Sequence, residues 1–96
     1  MVFMMFARVL WNIFRRAVLV IWPNRGHELR ERVGLNVRNL RSSRGLSQEQ
    51  LALAADVDRS YISEIELAKN SASIDVLERI SDALGVDPKE LFNERG

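Results

Sequence analysis

The stretch SQEQLALAADVDRSYISEIE, residues 47–66, decides the fold of this chain. It begins with Ser47, and Gln50 follows three residues later, which is the pattern of a capping box at a helix start. Apolar residues then recur on one face of the predicted helix, namely Leu51, Ala52 and Ala55. A short helix with one inward face is therefore predicted to begin after Ser47.

The next three residues, Asp56, Val57 and Asp58, predict a sharp turn into a second helix. Aspartate tolerates a left-handed backbone better than most residues that carry a side chain, which suits Asp56 to the turn. Asp58 is a suitable N-cap, and Ile62 and Ile65 give the second helix its inward stripe. The remaining face is polar, with Tyr61 beside it, and consists of Arg59, Ser60, Ser63 and Glu64.

The sequence on either side of this stretch predicts three more helices and no strand. A first helix covers residues 28–44, although Gly34 in its interior disfavours the N-terminal half. Ser73 caps a helix that ends at Leu84, and Pro88 starts a short last helix. The chain is therefore predicted to be all-α, a compact five-helix domain preceded by an extra apolar N-terminal helix.

The predicted core combines the inward positions of these helices. It consists of Val37, Leu40, Leu46, Leu51, Ala52, Ala55, Val57, Ile62, Ile65, Leu77, Ile80, Leu84, Val86 and Leu91. Helical spacing also places Leu29, Val33 and Ile74 on inward stripes.

Residues 1–26 are predicted to form a separate segment, and residues 27–96 the domain. The segment carries four arginines and no acid, and residues 23–26 are typical of a linker. Charges in its middle disfavour a spanning helix, and the absence of a cleavage pattern disfavours a signal peptide. Three interpretations of residues 1–22 stay open: a helix on a membrane surface, a helix that pairs with a second copy or another protein, or translated sequence upstream of the true start. The last two together are favoured over the membrane.

The composition excludes several classes of protein. The chain has 96 residues, no Cys and a single His, which excludes disulfide frameworks and Cys-based or His-rich metal sites. The sequence contains no phosphate-binding glycine loop, Ser-His-Asp set or zinc-protease pattern. We therefore predict no metal, no cofactor and no enzymatic activity.

Three segments in register resemble the Cro/repressor-like helix-turn-helix family of DNA-binding proteins. They are LRSSRGLSQEQLA at 40–52, RSYISEIE at 59–66 and ISDALGVDPKELF at 80–92. Their spacing outweighs the alternative of a helical bundle without a DNA role. The resemblance implies a lambda-repressor-like domain that binds double-stranded DNA. It also implies a cytoplasmic, nucleoid-associated regulator, a homodimer on a pseudo-palindromic operator, with residues 59–67 in the major groove.

The resemblance also assigns base contacts to the second motif helix. They are Arg59, Ser60, Tyr61, Ser63 and Glu64. Arg59 is the strongest candidate, because its guanidinium can donate to guanine O6 and N7. A phosphate contact or a solvated side chain stays open for Arg59, a core-shielding role for Tyr61, and a free carboxylate for Glu64.

Gln48 resembles the family's phosphate-binding glutamine, and Gln50, Arg44 and Lys69 are further predicted phosphate contacts near the motif. The resemblance also implies a structural salt bridge that joins Arg41 to Glu66. The dimer interface is expected at Val86, Leu91 and Phe92, with closure of the core as the alternative. Leu67 and Ala68 depart from the family pattern, since many relatives have Arg-Gly there.

The charge distribution fits this assignment better than the net charge of +1 does. Residues 27–96 carry ten basic and thirteen acidic residues, and six of the acids lie beyond Ser71. Arg38, Arg41 and Arg44 cluster at the end of the first helix, which predicts a basic DNA side and an acidic far side. The motif looks most like the controller proteins of restriction-modification operons. The alternative function is an antitoxin-type or membrane-associated protein-interaction module that carries a helix-turn-helix.

Overall fold

The computed structural model describes residues 7–13 and 25–94, with side chains from Glu28 onward in the second range. Residues 25–94 form four α-helices and a 3-10 helix, and the described residues contain no strand, so the fold is all-α as predicted. The helices are α1 (Arg25–Ser43), α2 (Gln48–Ala55), α3 (Arg59–Glu66), α4 (Ile74–Leu84) and the 3-10 helix (Pro88–Phe92). Residues 7–13 are also helical; the rest of the predicted N-terminal helix lies outside the described residues.

The start of α2 has the predicted capping box. The backbone N–H of Gln50 donates to Ser47 Oγ at 3.0 Å, and the backbone N–H of Ser47 donates to Gln50 Oε1 at 2.8 Å. Asp56 ends α2 in the left-handed conformation, with φ 55°, as predicted. Asp58 occupies the N-cap position of α3, as predicted, although its side chain makes no capping hydrogen bond.

Helix α1 begins at Arg25, three residues before the predicted start, and includes Gly34. The low helix propensity of Gly34 is offset by a packing role. A Cβ atom there would overlap the carbonyl oxygen of Ile65 and lie 3.0 Å from the carbonyl oxygen of Glu66. The absence of a side chain at Gly34 is therefore what allows α1 to cross directly over the end of α3.

The core lies where all five helices of residues 25–94 meet. Its buried apolar residues are Val33, Val37, Leu51, Ala52, Ala55, Ile62, Ile65, Leu77, Ile80, Leu84 and Leu91. Four residues predicted for the core, Leu40, Leu46, Val57 and Val86, are half-buried at its margin. The predicted inward face is therefore correct for most of the core.

Two inward assignments are wrong. Ile74 is 82% exposed, because it is the first residue of α4 and lies at the outer end of the helix rather than over the core. Leu29 is 53% exposed in the first turns of α1, where it lines an apolar groove together with Val33 and Phe92.

Asn36 is a fully buried polar residue that the apolar pattern did not identify. Its Nδ2 atom donates to the carbonyl oxygens of Leu91 and Asn93, both at 2.8 Å. The buried Oδ1 atom makes no hydrogen bond with the described part of the protein. The amide thus fastens the end of the 3-10 helix to α1, and this holds Leu91 in the core.

Replacement of Gly34 by alanine tests the close approach of α1 and α3. Alanine favours an isolated helix by about 1 kcal/mol over glycine, yet we expect G34A to lower the free energy of unfolding by about 1–3 kcal/mol through the backbone overlap. Urea denaturation measures the change. The control is N39A, on the exposed side of the same helix. Equal stability of G34A and N39A would contradict the crossing geometry.

Candidate DNA interface

The polar face of α3 is presented at the surface of the domain. Arg59 and Ser60 are exposed in the first turn of the helix, and Ser63 and Glu64 are half-buried further along it. Ile62 and Ile65 are buried on the opposite side, which fixes the rotation of the helix about its axis. The first turn of α3 is therefore the most accessible part of this face.

Two of the predicted base contacts also bond to the loop that follows α3. The Tyr61 ring packs against the core, and its hydroxyl donates to the carbonyl oxygen of Ser71 at 3.3 Å. One carboxylate oxygen of Glu64 accepts from Asn70 Nδ2 at 2.6 Å. In this structure Tyr61 shields the core and anchors the loop, which is the alternative to a base contact.

The four predicted phosphate contacts come from three separate places. Arg44 follows α1, Gln48 and Gln50 lie in the first turn of α2, and Lys69 is exposed in the loop after α3. Gln48 Nε2 donates to Glu66 Oε1 at 3.2 Å, and Gln50 Oε1 is engaged in the capping box. The Arg44 guanidinium lies 3.4 Å from the Leu40 carbonyl oxygen.

Arg41 and Glu66 form a two-point ion pair between α1 and α3. Arg41 Nε lies 2.7 Å from Glu66 Oε2, and Arg41 Nη2 lies 3.0 Å from Glu66 Oε1. The Glu66 side chain is 3% exposed and the Arg41 side chain 15%. The hydrogen bond to Glu66 raises the pKa of Arg41, although burial acts in the opposite direction. The arginine is therefore charged at every accessible pH.

A cleft of about 220 Å³ opens beside this ion pair, between α1, the start of α2 and the end of α3. Its lining residues are Arg38, Arg41, Gln48, Ser63, Glu66 and Leu67. The sequence places Arg38 in the basic cluster at the end of α1 but predicts no contact for it. Its spacing of three residues from Arg41 on α1 was the available signal.

The residues after α3 depart from a simple helix end. Leu67 is 58% exposed, and Ala68 has a positive φ of 57°, a conformation that favours glycine. The backbone N–H of Lys69 donates to the carbonyl oxygen of Glu64 at 2.9 Å and closes the turn. An apolar side chain therefore stands at the surface where α3 ends.

The predicted dimer residues separate into two groups. Phe92 is exposed and Val86 is half-buried, so both remain candidates for a contact with a second copy. Leu91 is fully buried, and its carbonyl oxygen accepts from Asn36. The assignment of Leu91 to the interface is wrong, because its side chain closes the core of its own domain.

Among the described residues, no group of His, Cys, Asp and Glu is arranged to hold a metal ion. None of the helices in residues 7–13 and 25–94 is long and apolar enough to cross a membrane.

Comparison with known proteins identifies the class. A family model described as Helix-turn-helix matches residues 37–91, which include the capping box, the left-handed turn and α3. The chain belongs to this helix-turn-helix family and is a DNA-binding transcriptional regulator.

The similar proteins include several controllers. The chain is 48% identical over 61 residues to Control protein C.BamHI of Bacillus amyloliquefaciens, covering 62% of this chain and 75% of that protein. It is 39% identical over 69 residues to Control protein C.MunI of a Mycoplasma species, covering 71% and 93%. The crystal structure of the restriction-modification controller protein C.AhdI from Aeromonas hydrophila has a TM-score of 0.65 at 36% identity, covering 66% and 96%. These relatives are named as control proteins and not as enzymes.

Removal of one partner of the ion pair tests its place in the fold. R41M would leave the Glu66 carboxylate buried without its cation, so we expect the free energy of unfolding to fall by about 3 kcal/mol. The double variant R41M/E66L replaces both charges by apolar groups and should recover most of that loss. Urea denaturation of both variants gives the comparison. If the double variant is no more stable than R41M, the loss of stability in R41M comes from losing the ion pair and not from the unpaired buried carboxylate.

Proposed function

We propose that this regulator is a controller protein of the kind found beside restriction-modification genes, and that it acts as a homodimer on a pseudo-palindromic operator. The observation that carries the proposal is the outward orientation of the polar face of α3, which its buried contacts determine. The buried ion pair at one end of α3 and its buried isoleucines along one side leave Arg59 and Ser60 outward. Such a face fits the major groove, which admits one α-helix.

The base contacts of this proposal begin with Arg59. Its exposed guanidinium at the start of α3 can donate two hydrogen bonds to one guanine, a contact worth roughly 1–3 kcal/mol of discrimination. Ser60 and Ser63 add shorter donors, and Glu64 can accept from cytosine N4. Tyr61 contributes by holding the loop and not by contacting a base.

The phosphate contacts of this proposal surround α3. The DNA backbone would be contacted by Gln48 and Gln50 at the start of α2, by Arg44 at the end of α1 and by Lys69 after α3. These contacts position the helix in the groove and carry no sequence information themselves.

Two copies are needed because one short helix reads only a few base pairs. Val86 and Phe92 lie outside the cleft that Arg38 and Arg41 line beside α3, in the part of the chain that is richest in acidic residues. A contact there would leave both α3 faces free for half-sites about one helical turn apart. We also propose that residues 27–96 are the DNA-binding unit, that residues 1–26 are distinct from it, and that the protein acts in the cytoplasm.

Selection from random duplex DNA, followed by titration of variants, tests the function. R59A should bind the selected site about 10-fold more weakly and lose preference at one base step in each half-site, because a guanine contact is lost. Q48A should weaken binding to the selected site and to unrelated duplex by the same factor, because it removes a phosphate contact. An unchanged base preference in R59A would contradict the assignment of Arg59, and recovery of no sequence would contradict the function.

Sedimentation equilibrium over a concentration series tests the dimer. F92E should shift the full chain toward monomer, because a charge would be placed in the contact between copies. L53E is the matched control, since Leu53 is 77% exposed on α2, outside the proposed contact. Circular dichroism checks that both variants are folded. A wild-type monomer at all concentrations, with and without the selected DNA, would contradict the dimer.

A further inference from the structure

The cleft beside the Arg41–Glu66 pair combines several donor groups. It is lined by the side chains of Arg38, Gln48 and Ser63, which come from α1, α2 and α3 respectively. Arg38 is exposed and makes no ion pair with the described residues, so its charge is not neutralised by a neighbour. The cleft therefore has one available cation and two neutral hydrogen-bond donors.

The charges around the cleft sum to a positive value. Glu66 is the one acidic residue in its lining, and Arg41 neutralises it through two hydrogen bonds. Leu67 forms part of the wall and adds no charge. The charge of Arg38 is consequently the net charge of the cleft.

Glu66 also sets the direction of the Gln48 amide. Its Oε1 atom accepts one N–H of Gln48 Nε2 at 3.2 Å, and a primary amide has a second N–H to donate. The Gln48 amide is therefore already oriented as a donor in the absence of a ligand, and the Glu66 carboxylate is already paired with Arg41. A preformed set of donors loses little conformational entropy on binding.

We propose that this cleft, which we call the Arg38 cleft, is the seat for one backbone phosphate of the operator, with Arg38 as its cation and Gln48 and Ser63 as its neutral donors. The proposal rests on the proposed function and extends it in two ways. It adds Arg38 to the DNA contacts, and it moves Ser63 from a base contact to a phosphate contact. A phosphodiester suits the cleft because it carries a single charge and acceptor oxygens only.

The position of Leu67 strengthens this inference. The end of α3 contributes an exposed leucine, and no cation, to the lining of the cleft. Arg38 reaches the same cleft from α1 and supplies the missing charge. The domain would therefore hold this phosphate from the side of α1 rather than from α3.

The test uses the full chain and a duplex containing the selected site. R38Q should weaken binding of the selected site and of unrelated duplex by a similar factor, about tenfold per subunit, as expected for one charge-assisted contact in each. The slope of log affinity against log salt concentration should fall by about 0.9 per subunit. R38K should keep the wild-type slope, because it keeps the charge. R30Q is the matched control on the same helix, since Arg30 lines the apolar groove and not this cleft.

Methylphosphonate substitution, which neutralises one phosphate at a time, locates the contact. Wild type should lose affinity at one phosphate in each half-site where R38Q loses none. An R38Q variant with the wild-type salt slope and the wild-type methylphosphonate profile would overturn the Arg38 cleft as a phosphate seat while leaving the proposed function intact. Failure of wild type to bind any duplex would overturn the proposed function and the seat with it.

Discussion

The ion pair between Arg41 and Glu66 fixes α3 with respect to α1, and the rest of the interface depends on it. Removing two charges from water costs several kcal/mol per ion, roughly, so the pair is a poor source of net stability. The contribution of the pair is to fix the orientation of α3 relative to α1. The planar guanidinium meets both carboxylate oxygens and also donates to the Leu46 carbonyl oxygen at 2.8 Å, an arrangement that one orientation of the helices satisfies.

The backbone of α1 and a side chain of α2 also contact the end of α3 beside this ion pair. Gly34 lets the α1 backbone approach the carbonyl oxygens of Ile65 and Glu66, so the end of α3 is fixed through its main chain as well as its side chain. Gln48 then bonds to the Glu66 carboxylate from the first turn of α2. Three helices therefore share one contact point, and a rotation of α3 would break bonds to both of its neighbours. This coupling explains how a helix of eight residues can keep a defined outward face.

Local chemistry made part of this structure predictable. The capping box at Ser47 and the left-handed turn at Asp56 follow from the preferences of individual residues, and the sequence contains those residues in order. The Arg41–Glu66 contact was inferred from a family resemblance, since the two residues are 25 positions apart and no local rule connects them.

Packing between distant elements decides the features that the sequence does not predict. The low helix propensity of Gly34 disfavours a helix at this position. The residue is nevertheless needed there for the close contact between α1 and α3, which no local pattern shows. Asn36 falls on the inward stripe between Val33 and Val37, but a polar residue there has meaning only once the 3-10 helix supplies carbonyl acceptors. For Leu91 the sequence leaves both the core and the dimer interface open, and the amide of Asn36, which holds its backbone in place, decides for the core.

The end of α3 bears on how the proposed DNA contacts would divide between affinity and specificity. Ala68 adopts a positive φ, which costs an alanine about 1 kcal/mol or more, and Leu67 leaves the adjacent surface without charge. Non-specific binding to DNA is almost entirely electrostatic, so the lack of a cation at this position would weaken binding to unrelated duplex. The proposed contacts of Arg59 with bases would then make up a larger share of the total. Such a domain gains selectivity at the expense of affinity, and a second copy on the same operator is the direct way to restore the affinity.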